Sequence, residues 1–253
     1  MQDLTDFANT LADEAAMIIA QYFRQQVTVD HKTKNDPVTV ADRAVEQKMR
    51  QMIEERYPDD GILGEEFGVK DSRNGRVWVL DPIDGTKSFI IGRPSFGTLI
   101  SLWDGDTALL GVIDQPITKE RWIGVQGQAT TFNGQAVRVR SCPDLRQARV
   151  GSTTPRYMTP SLITELNEKV DFIAWGGDCY LYGLLAGGNL DIVIEQHLEP
   201  FDYAALVPVV HGAGGLMCDW EGRPLTLQSN GQVAAFGDAS LKDEILSMLK
   251  SAC

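Results

Sequence analysis

The chain has no run of about 18 apolar residues, the length a helix needs to cross a bilayer, so no membrane span is expected. Its opening, MQDLTDFANTLADEAA, carries acids where a secretory leader needs basic residues, and it offers no small-residue cleavage site. A signal peptide is therefore not expected. There is no C-x-x-C pair. Cys142, Cys179, Cys218 and Cys253 are widely spaced, which favours reduced thiols in the cytoplasm, and none has neighbours that mark a nucleophile. Lys and Arg do not cluster, and the formal net charge is −12. Such a surface gains nothing from counterion release at nucleic acid or an anionic membrane, so neither is expected as a partner. Internal repeats and low-complexity linkers are also missing. The histidines, His31, His197 and His211, are scattered and are read as structural or surface residues.

What is present suits a packed core. The 253 residues are 43% hydrophobic and 23% charged, enough for one large domain or two intimately packed halves. Leu4, Phe7, Ala8, Leu11, Ala15, Ile18, Ile19 and Tyr22 recur at helical spacing over 4–23. An extended stretch is expected from Val27 to Lys34. Thr39 to Asp42 has the form of a capping box, and Ala44, Val45, Lys48, Met49, Met52 and Ile53 continue the second helix. Short apolar or alternating runs then read as strands: Ile62 to Glu65, Val77 to Asp81, Phe96 to Trp103, Ala108 to Asp114 and Trp122 to Val125. Asn133-Gly134 reads as a tight hairpin turn.

Beyond Ser141–Asp144 the pattern alternates. Strands are expected at Val150 to Thr153, Phe172 to Trp175, Leu190 to Glu195, Leu216 to Asp219 and Val233 to Phe236. Helices are expected at Ser161 to Lys169, Asp178 to Ala186, Tyr203 to Gly212 and Ala239 to Lys250. The first half thus reads as two helices and a mostly antiparallel sheet, the second as α/β layering. The division is placed at 1–140 and 141–253, the halves packed as one mixed α/β (α+β) unit.

The most informative stretch is WVLDPIDGTKSF, residues 78–89. An apolar strand delivers Asp81 to its end, and Pro82 forces the chain to turn. Asp84 can come back beside Asp81, Gly85 permits close backbone approach, and Thr86 adds a hydroxyl and an N–H. Two carboxylates, the Ile83 carbonyl and a Gly-Thr step are hard-oxygen ligands for Mg²⁺ beside a phosphate cradle. Taken alone, the same residues also fit a turn with solvated acids. Glu65 and Glu66 end another apolar strand just upstream. Asp202 precedes an apolar helix, where a plain N-cap is the alternative, and Asp42 is also explained by its capping box.

Together these acids resemble the inositol monophosphatase family of Mg²⁺-dependent, lithium-sensitive phosphatases. The likeness starts at Lys34 and Pro-Val-Thr-Val-Ala-Asp42. It runs through Gly-Glu65-Glu66 and Asp81-Pro-Ile-Asp84-Gly-Thr86 to Phe201-Asp202-Tyr-Ala-Ala and Gly212-Ala-Gly-Gly215. Phe201 departs from it, standing where the family usually has Trp. The resemblance implies a layered α-β-α-β-α sandwich of the inositol monophosphatase and fructose-bisphosphatase type, a homodimer, and two to three Mg²⁺ per site, with Mn²⁺ able to substitute. It implies that Glu65, Asp81 and the Ile83 carbonyl hold one ion and that Asp81, Asp84 and Asp202 hold a second, with Glu65 helping a third through water. Gly85 and Thr86 would bind phosphate, Asp42 and Thr86 would orient the attacking water, and Glu66 would support them.

Family substrates include inositol phosphates, fructose bisphosphate, adenosine bisphosphate and histidinol phosphate. The segments GGDCYLYGLLAGG and SFIIGRPSFGTLISL look most like the histidinol-phosphatase branch. Asp178 and Glu195 fall in regions that family members use to contact the substrate beyond its phosphate. A carboxylate at Asp178 suits a cationic leaving group; alternatively it caps its helix. The expected activity is histidinol-phosphate hydrolysis in histidine synthesis. The alternatives are an inositol-1-phosphatase or broad sugar-phosphate phosphatase, and a non-catalytic regulator on the same fold. A pure binder has no need of Asp81, Asp84 and Asp202 together.

Overall fold

The computed structural model describes residues 1–26, 29–33 and 36–251. Val27, Lys34 and Cys253, named above, lie outside the described residues. Helix α1 (Gln2–Tyr22) buries Leu4, Phe7, Leu11, Ala15 and Ile19 along one stripe, as its spacing requires. A hairpin of β1 (Val29–Thr33) and β2 (Asp36–Thr39) leads into α2 (Val40–Arg56). Thr39 and Asp42 close a reciprocal capping box at the start of α2. The face of α2 turned inward is Ala41, Asp42, Val45, Glu46, Met49 and Ile53. Two acids therefore sit on a buried face.

The chain then builds β3 (Gly61–Gly64), β4 (Gly68–Lys70), β5 (Arg76–Asp84), α3 (Thr86–Ile90), β6 (Gly97–Asp104), β7 (Thr107–Gln115), β8 (Glu120–Val125), β9 (Thr131–Phe132) and β10 (Gln135–Ala136). The strands form one eight-stranded sheet in the order β10-β9-β8-β7-β6-β5-β3-β4. Only the β3–β5 pairing is parallel among these. The remaining elements are β11 (Arg149–Ser152), α4 (Pro160–Lys169), β12 (Phe172–Trp175), α5 (Tyr180–Ala186), β13 (Ile192–Glu195), α6 (Pro200–Tyr203), α7 (Leu206–Gly212), β14 (Leu216–Cys218), β15 (Val233–Phe236) and α8 (Lys242–Ser251). Their strands form a five-stranded mixed sheet in the order β12-β11-β13-β15-β14.

Strand alternation sorts the core into layers. Trp78 and Leu80 of β5 face α1 and α2, whereas Val79 faces a central cluster with Tyr182, Leu185, Val209 and Val193. Ile192 and Ile194 of β13 face the other way, onto Leu162, Leu166, Ile245 and Leu249 of α4 and α8. The result is an α-β-α-β-α sandwich, with α5, α6 and α7 between the sheets. Among the described residues no helix is long and apolar enough to cross a membrane.

Two expectations about helices are corrected. The segment from Tyr203 to Gly212 is not one helix: α6 ends at Tyr203 and α7 begins at Leu206. Pro208 explains the break. It has no N–H to give the carbonyl of Ala204, and its ring crowds that carbonyl. The freed Ala204 oxygen accepts instead from the Trp103 indole N–H at 3.3 Å. A Cβ on Gly111 of β7 would lie 2.1 Å from the Ala205 oxygen, so the broken helix is seated directly on the large sheet. The second correction is at Asp178, where α5 was expected to begin. Asp178 has φ of 50°, outside helical backbone, and α5 starts at Tyr180.

Candidate active site

Four chain segments converge at one end of the central layer. The first is the end of β5. Asp81 Oδ1 accepts the Ile83 N–H at 3.0 Å, so the carboxylate itself bends the chain through Pro82. Gly85, at φ 83°, turns the chain into the short helix α3. The second segment is the start of α2, where Asp42 Oδ2 accepts the Thr39 N–H at 2.8 Å and the Thr39 hydroxyl at 2.5 Å. Asp42 Oδ1 is left facing the Thr86 hydroxyl at 3.5 Å, and that hydroxyl also lies 3.2 Å from the Ile83 carbonyl.

The third segment is α6. Asp202 was weighed as a plain N-cap, but it occupies the third helical position, and its Oδ2 accepts the Glu199 N–H at 2.7 Å. Its neighbour Phe201 packs, half buried, against the central core cluster. The fourth is the turn before α5, where the Cys179 N–H donates to Asp84 Oδ2 at 2.6 Å.

Asp81, Asp84 and Asp202 each bring an oxygen within 4.8 Å of the others, close enough to hold one metal ion. The donors are all carboxylates, which suits a hard cation. Burial, then the charges of Glu65, Asp84 and Asp202, hold the Asp81 carboxyl well above the ordinary range. Burial, then the charges of Asp178 and Asp202, do the same to Asp84. Burial lifts Asp202 to about 8, even against the Glu199 N–H, and lifts Asp42 to about 6. Glu65 is close enough to Asp81 to share a side-chain hydrogen bond with it. Carboxylates this crowded stay charged at neutral pH when a divalent cation lies among them.

Asp178 and Glu195 line the same cavity, of about 200 Å³, as Asp84 and Asp202. Neither caps a helix. Asp178 Oδ2 accepts the Ser88 hydroxyl at 2.6 Å and the Ser95 hydroxyl at 3.2 Å. Glu195 accepts the Thr153 N–H on one oxygen and the Tyr182 hydroxyl on the other, both at 3.0 Å. Each carboxylate oxygen has two lone-pair sites, so these bonds leave room for a ligand donor.

Glu66 points to a residue the sequence reading passed over. Its N–H and that of Phe67 donate to the buried Glu46 at 2.7 and 3.1 Å, and Arg50 pairs with the same carboxylate at 2.7 Å. Glu46 thereby fixes the turn that presents Glu65. A glutamate one turn after Asp42, on an apolar helix face, was the signal for it. Of the histidines, His211 is structural, its Nε2 accepting the Met217 N–H at 3.2 Å, whereas His197 lies at the cavity. The described cysteines, Cys142, Cys179 and Cys218, are buried and free. Burial and the neighbouring Asp84 charge push the Cys179 thiol far up, which leaves it unreactive.

Known proteins resemble this chain over nearly its whole length. A solved inositol monophosphatase from Zymomonas mobilis is 47% identical, with a TM-score of 0.88 over 98% of each chain. The bifunctional phosphatase IMPL2 of Arabidopsis thaliana is 42% identical over 96% of this chain and 73% of its own. A histidinol-phosphatase of Chlorobaculum parvum is 36% identical over 89% of each. With residues 1–252 matching the model of the inositol monophosphatase family, the chain belongs to that family of phosphatases.

Proposed function

We propose that the chain hydrolyses histidinol phosphate to histidinol and phosphate, with Mg²⁺ bound at the acidic cluster. The observation that carries the substrate choice is the pair Asp178 and Glu195, two carboxylates outside the acidic trio that line its cavity. A cationic leaving group offers them charge-assisted hydrogen bonds, whereas a neutral polyol gains less. The likeness to a histidinol-phosphatase supports the same choice.

In this reading Asp81, Asp84 and Asp202, with Glu65 and the Ile83 carbonyl, hold the metal. Mg²⁺ held there would offset the phosphate charge and favour ionisation of the attacking water. Gly85 and Thr86 give backbone N–H groups to the phosphate. The Thr86 hydroxyl orients the attacking water. Asp42, lifted to about 6, takes up its proton through Thr86 near neutral pH. Glu66, held by the bond from its N–H to Glu46, supports Asp42 and Thr86. Water attacks phosphorus in line with the ester oxygen, the phosphorus–oxygen ester bond breaks and the departing alkoxide takes a proton from solvent, so no covalent nucleophile is needed.

A panel of histidinol phosphate, inositol-1-phosphate and fructose-1,6-bisphosphate at equal concentration, read by phosphate release with Mg²⁺, tests the proposal. The highest kcat/KM is expected for histidinol phosphate. A higher value for either of the others defeats it. The likeness to the Zymomonas enzyme favours inositol-1-phosphate as the second reading.

A further inference from the structure

The cavity has an aromatic rim that the chemistry above does not use. Tyr157 ends a 3-10 turn, Pro155–Tyr157, and His197 follows β13. Both line the cavity that holds Asp84 and Asp202, and both are exposed, so they stand at its mouth. Their rings touch, with centroids 4.5 Å apart and planes at 52°. Two contacts hold this arrangement. The Gln196 side-chain amide donates to the Tyr157 carbonyl, tying one loop to the other. The Arg156 guanidinium lies over the Tyr157 ring, 5.6 Å from its centroid.

His197 also has φ of 63°, left-handed backbone that is uncommon outside glycine. Such backbone persists where the surroundings over-determine it, and it concentrates at ligand sites. The conformation turns the imidazole towards Tyr157.

We propose that Tyr157 and His197 form a stacking rim that selects esters whose leaving group carries a flat aromatic ring. The phosphate lies on the acidic cluster deeper in the cavity, and the ring of the leaving group packs against the paired side chains. Aromatic pairs gain from offset or edge-to-face contact, which an acyclic alcohol does not supply. Applied to the proposed substrate, the rim reads the imidazole, while Asp178 and Glu195 read positive charge. This refinement rests on the histidinol-phosphate reading for its natural ligand.

The test compares wild type with Tyr157→Ala, His197→Asn and the double variant. Asn tolerates positive φ, so the backbone is kept. Esters are histidinol phosphate, p-nitrophenyl phosphate and glycerol-2-phosphate. Each single variant is expected to raise KM for both aromatic esters about 10-fold, with kcat little changed and glycerol-2-phosphate unaffected. Because the rings act together, the double variant is expected to lose no more than about twice what the worse single variant loses. Equal losses on all three esters, or no loss on the aromatic ones, overturn the rim. Failure of the substrate reading is seen separately, in wild type, as a poor ranking of histidinol phosphate. The p-nitrophenyl to glycerol ratio still decides the rim in that case.

Discussion

Asp178 occupies the space that a side chain on Gly85 would need: a Cβ there would lie 2.6 Å from the Asp178 carboxyl carbon. The residue that turns β5 into α3 and one of the two carboxylates that line the cavity beside the acidic trio are thus in direct contact. Ser88, on the helix that Gly85 starts, donates to the same carboxylate. Displacement of one partner is therefore felt by the other.

Gly85→Ala tests that contact. The added methyl meets Asp178, and φ of 83° strains any L side chain. We expect kcat/KM to fall at least about 100-fold, roughly 2.7 kcal/mol of transition-state stabilisation, while the melting temperature moves by only a few degrees. Steady-state kinetics beside a thermal melt checks it. Unchanged kcat/KM would show that the loop and Asp178 are not coupled.

A second prediction concerns pH and metal. Asp42 and Asp202 are raised from 3.8 to about 6 and about 8 in the metal-free fold. Between the ordinary carboxylate range and those values, the folded chain keeps protons that the unfolded chain has released. Stability in EDTA must then fall as pH rises through that window. Asp238, lowered to about 2 chiefly by the Ser240 hydroxyl, acts in the opposite sense, but at lower pH. Melting temperatures in EDTA should drop from about pH 5 to about pH 8, and Mg²⁺ should restore the loss at the alkaline end. EDTA should also abolish activity. A melting temperature that climbs with pH in EDTA would contradict the buried acids as placed.

Glu46→Gln addresses the turn before Asp81. Glu46 is fully buried and accepts from Glu66, Phe67 and Arg50 at once. An amide in its place sets a donor against a donor and leaves Arg50 uncompensated. We expect about 2–4 kcal/mol of destabilisation and a several-fold higher Mg²⁺ concentration for half-maximal activity. Denaturant melts and a Mg²⁺ titration measure the two effects. A metal requirement that does not move, with stability lost, would restrict Glu46 to the fold.

Much of this was legible because its causes are local. The Thr39–Asp42 capping box, the Asp81-Pro-Ile-Asp84-Gly turn and the stripe of α1 are each written within a few residues. The break between α6 and α7 was also written, in Pro208, but two alanines ahead of it favour a continuous helix. Other features depend on residues far apart in sequence. Nothing near Asp178 shows that Ser88 and Ser95 would bind it, or that the left-handed Asp178 would leave its helix to begin at Tyr180. Glu195 looked like the end of a strand, and its bonds to Thr153 and Tyr182 come from the residue just beyond the neighbouring strand β11 and from the central helix layer.

The last prediction separates charge recognition from scaffolding at those two carboxylates. Burial raises both Asp178 and Glu195, and hydrogen bonds oppose the rise in each. Asp178→Asn and Glu195→Gln keep the shape and remove the charge. If the acids serve only to hold Ser88, Ser95, Thr153 and Tyr182, each variant loses about 1–3 kcal/mol of stability, and all esters are hydrolysed in their former proportions. If they read a cation, KM for histidinol phosphate rises several-fold or more while glycerol-2-phosphate is barely affected. The deciding quantity is the ratio of kcat/KM between those substrates, before and after substitution. A charge-assisted hydrogen bond of about 1.5–3 kcal/mol corresponds to a change of roughly 10- to 150-fold in that ratio. We expect a change of at least 10-fold for one of the two variants. A fixed ratio in both would remove the electrostatic argument for a cationic substrate and leave a general phosphomonoesterase of this family.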